Sequence, residues 1–453
     1  MTGRRYEIDM TRGSILKNMI AFAIPLILTN VLQLLYNAAD LVVVGRWAGT
    51  DSLAAVGATT FITTLLTNTF ISISVGASIV VSKQYGARDM QGINRAVHTT
   101  ISLSLWCGLV ALIVGQVFCG PILELLGTPE SIIELSALYM RIIFIGVPAQ
   151  ILYNFGAAIL RSVGDTKRPL YVLSVTGIVN VVLNLVLVIF FNMDVAGVAI
   201  ATAVAHYLSA GAVMYSLIKS DVVYKVNVKE LKIHKEELKQ IIAVGLPAGI
   251  QSSVFSFGNI VAQSAVNSLG TAVVAGRTAG SNIEQFVNAA MESFNQATVT
   301  SVGQNYGAKN EKRVYKTIIT GLICASICGL VLGVTVYIFG EFLLGMYIVN
   351  SAEAIREGMV YMAVVGLPYV LMGIMNVLSG SIRGLGHSKT PAICSLIGAC
   401  GFRILWIYAA FPLNKTSWFL YLCWPISWVI VIIMHTITFM VVRKKSMQNM
   451  YEA

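Results

Sequence analysis

Four polar side chains, Asn30, Gln33, Asn37 and Asp40, recur at i, i+3, i+7 and i+10 inside an apolar run that begins near Ile15, a spacing that sets them on one face of a helix. An ionised carboxylate costs several kcal/mol in lipid, so Asp40 either faces a watery cavity or carries a proton. Both states suit a group that takes up and releases a cation. Of the 21 acidic residues, only Asp40, Glu284 and Glu292 fall well inside apolar segments. Glu284, Asn288, Glu292 and Asn295 form a second one-sided stripe. Asn180 and Asn184 stand one turn apart, as do Thr202 and His206. For the amides, bridging between packed helices is an open alternative; the carboxylates resist it better. His206 reads first as a packing residue, with proton relay as the alternative. Arg277 and Arg403 pair either with acids or with lipid phosphates. No GxxxxGK[ST], HExxH, CxxC or GxSxG pattern occurs, so neither ATP hydrolysis nor enzymatic chemistry is expected.

The elements that must carry these residues are membrane helices. The 453-residue chain is 56% hydrophobic and 11% charged, with a mean hydropathy of +0.77, where soluble domains run near ~25% charged. Apolar windows long enough to cross a hydrocarbon core of about 30 Å recur about twelve times, the first near 16–44 and the last near 416–442. Residues 1–14 are polar and no cleavage site follows them, so the first apolar segment is expected to stay as the first spanning helix. The net charge of +10 does not point to nucleic acid, because 25 of the 31 basic residues cluster at the two termini and in alternate loops, Arg4, Arg5, Arg12 and Lys17 first and Arg443, Lys444 and Lys445 last. The opposite loops hold only Arg46, Arg141, Arg356 and Lys415. The positive-inside rule then puts both termini in the cytoplasm of a multi-pass plasma-membrane protein. Seven cysteines without paired spacing argue for free thiols, Cys324 and Cys328 included.

The polar linker near 219–240 divides the chain into halves that repeat at about 221 residues. FAIPLIL around Pro25 answers VGLPAGI around Pro247, SKQYGARD answers GQNYGAKN, and GVPAQILYNFGAAILRSVGDTKRP answers GLPYVLMGIMNVLSGSIRGLGHSKTP. Six helices in each half make the repeat parallel in topology, a transporter arrangement, with duplication for stability as the alternative. The expected fold is all-α, with twelve transmembrane helices in two pseudo-symmetric lobes: 1–218, a linker at 219–238, and 239–453. Prolines 25, 148, 247 and 368 occupy corresponding membrane positions and are read as hinges or static kinks.

The run DMTRGSILKNMIAFAIPLILTNVLQLLYNAADLVVVGRWAGTDSLAAVG, the YGARD and YGAKN loops, and ILRSVGDTKRP with its echo SIRGLGHSKTP resemble the MATE (multidrug and toxic compound extrusion) family over essentially the whole chain. The resemblance implies two six-helix lobes that open alternately to either side and export organic cations or amphipathic drugs in exchange for protons or sodium ions. It implies a coupling role for Asp40, with Asn180 and Thr202 at matching positions of helices 5 and 6. Asn184 stands where some members carry a second acid, which favours protons over sodium; a sodium ion would be held at Asp40, Asn180 and Thr202. Phe255 stands where other members place a coupling Glu. The expected coupling group is Asp40, Asn180, Asn184 and Thr202. The expected substrate contacts are Gln33, Tyr36, Asn37, Asn154, Glu284, Asn288 and Glu292. Neither a resident metal nor a cofactor is expected beyond the coupling H+ or Na+, and the protein is expected to act as a monomer on small organic substrates. A lipid-linked oligosaccharide flippase of the same fold is the rival reading.

Overall fold

The computed structural model describes residues 6–125, 127–220, 222–348 and 351–452. Arg4 and Arg5 therefore lie outside the described residues, as does the side chain of Lys445. Among the described residues every regular element is helical. The helices are α1 (Ile15–Val43), α2 (Gly49–Ala87), α3 (Met90–Leu125), α4 (Glu130–Ser162), α5 (Lys167–Leu185), α6 (Asp194–Lys219), α7 (Lys235–Asn267), α8 (Thr271–Gly307), α9 (Glu311–Ile338), α10 (Gly340–Gly345), α11 (Ala352–Tyr361), α12 (Tyr369–Gly384), α13 (Lys389–Ser395), α14 (Phe402–Leu405), α15 (Ser417–Tyr421) and α16 (Cys423–Glu452).

Nine helical runs among the described residues are long and apolar enough to cross a membrane, ten when Ala352–Gly366 and Tyr369–Gly384 are taken as one bent span. Two further spans complete the expected twelve. The run Ile15–Ala87 has 73 residues; at 1.5 Å per residue it would measure about 110 Å, far more than one ~30 Å crossing. A π turn at Val44–Ala48 and Gly49, at φ 85°, divide it into α1 and α2. Helix α8 is also of spanning length, but Arg277, Glu284 and Glu292 dilute its apolar character.

The duplication is written into the backbone. Positive φ angles recur at Gly49 and Gly270, at Arg88 and Lys309, and at Gly164 and Gly386, spaced by 221, 221 and 222 residues. The matched loop tyrosines do matched work: Tyr85 donates to Glu7 at 3.0 Å and Tyr306 to the Ser446 carbonyl at 3.2 Å, each holding down a terminal segment of its own unit.

Two compact units form, residues 1–9 with 28–249, and residues 10–27 with 250–453. These differ from the lobes expected at 1–218 and 239–453 in that residues 10–27 group with the second unit and 219–249 with the first. The physical reason is packing. Met19 and Ala23 of α1 are fully buried, Ala23 with Phe294, Cys324 and Val377, while Ile241 of α7 is buried among residues of the first unit. In the first unit α4 packs against α2, α3 and α6; in the second, α8 packs against α9, α11 and α12. Each unit also shows an exposed apolar stripe, Leu105, Leu109 and Ile113 in one and Ile319, Ile323 and Ile327 in the other, with the chemistry of a lipid-facing surface.

The four prolines behave differently. Pro25, Pro148 and Pro247 lie within unbroken helices. Only Pro368 marks a break, following a π turn at Met362–Gly366, with its flanking segments bent by 42°.

Candidate functional site

A cavity of about 520 Å³ lies wholly within the first unit and is lined from five helices. From α1 come Gln33, Tyr36, Asn37 and Asp40, at i, i+3, i+4 and i+7, one face of the helix as the spacing requires. Helix α2 adds Thr63, Thr64, Thr67 and Asn68, and α4 adds Gln150, Tyr153 and Asn154. Helices α5 and α6 contribute Thr176, Gly177 and Asn180, and Thr202, His206 and Ser209. Gly177 fixes one wall: a Cβ there would overlap the Tyr36 ring, so the absence of a side chain lets that ring lie on α5.

At one end sits the carboxylate. Asp40 accepts from the Asn184 amide, and Thr202 Oγ1 lies 3.4 Å from Asp40 Oδ2. Asn180 Nδ2 donates to Thr202 Oγ1 at 3.4 Å, and Asn184 Nδ2 lies 3.4 Å from Asn180 Oδ1. The four residues expected to form the coupling group are thus brought together. Asn184 is fully buried behind the other three, and its Oδ1 has no hydrogen-bond partner among the described residues. This orientation follows from charge, since turning the amide over would set oxygen against the carboxylate. His206 lines the cavity, yet its buried Nδ1 has no partner among the described residues.

Gln33, Tyr36, Asn37 and Asn154 line the cavity as expected for substrate contacts; Glu284, Asn288 and Glu292 do not. All three belong to the second unit. Glu284 accepts from the Tyr361 hydroxyl, Glu292 takes Asn295 Nδ2 at 3.1 Å along the same helix, and Asn288 is exposed. Near Glu284, Arg277 pairs with Gln263, Arg403 Nε donates to Ser427 at 3.1 Å, and both guanidiniums lie over the Trp424 ring at 5.5 and 5.3 Å. The arginines are thus engaged with amide, hydroxyl and ring. Sequence reasoning missed the α2 ridge and the Gln150 and Tyr153 wall of α4. The ridge had a signal: in TTFITTLLTN the polar residues at 63, 64, 67 and 68 fall at i, i+1, i+4 and i+5.

An all-helical, duplicated membrane protein with a polar cavity among the helices of one unit and a carboxylate at its end is built as a transporter. The MatE family model matches residues 25–186 and again residues 247–409, once in each repeat. The chain belongs to the MatE family. It is 29% identical over 401 residues to the probable multidrug resistance protein YoeA of Bacillus subtilis (strain 168), covering 87% of this chain and 86% of that one. To the probable multidrug resistance protein NorM of Thermotoga maritima it is 24% identical over 400 residues, covering 86% and 84%. Among solved structures, a MOP superfamily transporter from Pyrococcus furiosus superposes with a TM-score of 0.89 at 22% identity, over 100% of this chain and 99% of that one. A MATE transporter in its straight conformation gives 0.88 at 21% identity, over the whole of both chains. These likenesses establish the fold.

Proposed function

We propose that this protein is a cation-coupled antiporter of the cell membrane, both termini cytoplasmic, that acts as a monomer and exports organic cations or amphipathic drugs by alternating access. The observation that carries this reading is Asp40, the one formally charged residue among those lining the cavity, held by Asn184 and Thr202 and backed by Asn180. A single carboxylate binds one cation at a time, so a proton and a cationic cargo compete for it. When the proton arrives, Asp40 loses its charge and gains an O–H donor. The Asn184 amide then turns so that its unpartnered Oδ1 accepts that proton, and the cargo loses its counter-charge. The names of the relatives, multidrug resistance proteins, support drug export.

Protons are favoured over sodium by the donor set. A sodium ion wants several oxygens facing it, and here Asn184 and Thr202 turn their hydrogens toward the only carboxylate. Asn184 Oδ1, Asn180 and Thr202 remain as neutral oxygens for sodium once those donors rotate. A flippase for lipid-linked oligosaccharide is disfavoured because no Lys or Arg is among the described cavity-lining residues, leaving a phosphate without a permanent counter-charge. The Glu284 and Tyr361 pair is assigned to holding α8 against α11 rather than to cargo. The test is efflux of a fluorescent organic cation from proteoliposomes under an imposed pH gradient or an imposed sodium gradient. Efflux with the pH gradient alone is expected; efflux that follows only sodium would overturn proton coupling, and efflux with neither would overturn antiport.

A further inference from the structure

The carboxylate explains why a cation enters the cavity, and the remaining walls define what else that cation carries. We infer that the cargo is a protonated amine bearing several further hydrogen-bond donors, a polyhydroxylated or polyamino compound, rather than a lipophilic cation. This inference rests on the export reading and narrows it.

Two observations carry it. The first is the composition of the walls. Of the 21 residues lining the cavity, 16 have polar side chains, and the apolar remainder is Ile71, Ile143, Leu173, Gly177 and Ala205. Sites for lipophilic ligands are lined mostly by apolar and aromatic side chains with a few polar groups, whereas here polar atoms make up about half of the wall surface.

The second is the direction of the hydrogen bonds. A hydroxyl has one hydrogen and two lone pairs, so once its hydrogen is committed it can only accept. Thr63 and Thr176 donate to the main-chain carbonyls of Thr59 and Val172, both at 3.0 Å, and Ser209 shares its hydrogen between the Ala205 carbonyl and Thr176 Oγ1, each at 2.8 Å, which leaves Thr176 one further lone pair. The Tyr36 hydroxyl donates to the Ser174 carbonyl at 3.3 Å, and Asn154 Nδ2 to the Gln150 carbonyl at 2.9 Å, leaving the Asn154 carbonyl oxygen to accept. Asp40 accepts by nature. These five side chains therefore present oxygen lone pairs beside the one negative charge of Asp40, and the donors in the lining are the amides of residues such as Gln33, Asn37, Asn68 and Gln150. Water satisfies those oxygens when the cavity is empty. A ligand that expels the water must return the donors: ammonium N–H and hydroxyl O–H groups do so, and a cation wrapped in hydrocarbon does not. At about 520 Å³ the space is that of a small ligand.

The test uses the purified full chain in proteoliposomes under an imposed pH gradient and three probes: N-methyl-D-glucamine as its ammonium, tetraphenylphosphonium, and neutral sorbitol. The first two carry the same single charge but differ in donors; sorbitol keeps hydroxyls without charge. The glucamine is expected to half-saturate transport at a concentration at least about tenfold lower than tetraphenylphosphonium, with sorbitol not carried, because sites built around hydrogen bonds discriminate strongly against ligands that lack them. In Asn154→Leu and Ser209→Ala that ratio is expected to narrow by about threefold or more, each removing one acceptor. Tetraphenylphosphonium carried at an equal or lower half-saturating concentration would overturn the inference and leave the export reading standing. If the pH gradient moves neither cation, both fall. An unchanged ratio in the two variants, with both folded by size-exclusion chromatography, would also overturn the inference.

Discussion

Replacing Asp40 by Asn tests the mechanism at its centre, because the substitution keeps the shape and removes only the charge. The wild-type carboxylate accepts from Asn184 and from Thr202, the latter at 3.4 Å. The substituted amide still offers one oxygen to Asn184, so the folding cost is one weakened hydrogen bond, about 0.5–1.5 kcal/mol. The cost to cargo is larger. A monovalent cation about 4 Å from a carboxylate at an effective dielectric of about 20 gains about 4 kcal/mol, or nearly a thousandfold in affinity. Asp40→Asn should therefore weaken binding of an organic cation by up to about a thousandfold. Antiport should fail altogether, because among the described cavity-lining residues no other acid remains whose charge a proton can cancel. The assay is quenching of a fluorescent cation in everted vesicles under an imposed pH gradient, beside size-exclusion profiles and thermal unfolding of both proteins. A well-folded variant that still exports at the wild-type rate would refute the reasoning.

Other perturbations separate the parts. Asn184→Asp would place a second acid beside Asp40 and is expected to create sodium-stimulated efflux that the wild type is expected to lack, measured for both proteins with sodium gradients at matched pH. Thr202→Val removes one hydrogen bond from the carboxylate and should slow pH-driven efflux about threefold to tenfold without abolishing it. Gly177→Leu would drive the Tyr36 ring off α5 and fill the cavity, so cargo binding should be lost at a stability cost of about 1–3 kcal/mol, read by thermal unfolding. At the Gly-Asp-Thr-Lys loop, burial pushes the Asp165 carboxyl above the usual carboxylate range, although the Arg168 guanidinium 3.0 Å away pulls it down. The folded state thus holds that proton more tightly than the unfolded one, and stability falls as pH rises from the ordinary carboxylate range through the raised value. Asp165→Asn should flatten that part of the stability curve, measured by thermal unfolding between acidic and neutral pH.

Much of this was legible because membrane helices leave few reasons for polar side chains. The α1 stripe, the Asn180 and Asn184 pair and Thr202 stood out against apolar sequence, and helical spacing sufficed to aim each group at one face. The α2 ridge was harder to see. A threonine in an apolar helix can spend its hydroxyl on the carbonyl one turn back, as Thr63 does with Thr59, so its presence signals no cavity. The grouping of residues 10–27 with the second unit and of 219–249 with the first was invisible for another reason: α1 and α7 run on unbroken through Pro25 and Pro247, and an apolar run does not say which neighbours its buried face meets. The two Gly-x-Pro motifs show the same limit. Pro148 sits in a continuous helix while Pro368 ends one, and the π turn at Met362–Gly366 that accompanies the break has no counterpart described at 142–146.

The duplication copies the frame without copying the chemistry. At the repeat spacing of 221 or 222 residues the counterpart of Asp40 is Val261 or Ala262, and both belong to the apolar cluster around Tyr369 and Trp428. The counterparts of Thr202 are Cys423 and Trp424, buried in that same cluster. Yet the positive-φ turns that set helix ends recur in register. The two halves therefore share what positions their helices, while the cavity's carboxylate is found in one. The alternating access proposed above calls for two similar bodies but not for two similar binding sites; one exchangeable charge would be enough to make the empty and loaded states differ. In the second unit the half-buried Glu284 and Arg277 and the buried Arg403 are instead engaged by Tyr361, Gln263, Ser427 and the Trp424 ring. Charges so engaged stabilise one arrangement, whereas a carboxylate facing a 520 Å³ cavity is free to change partners.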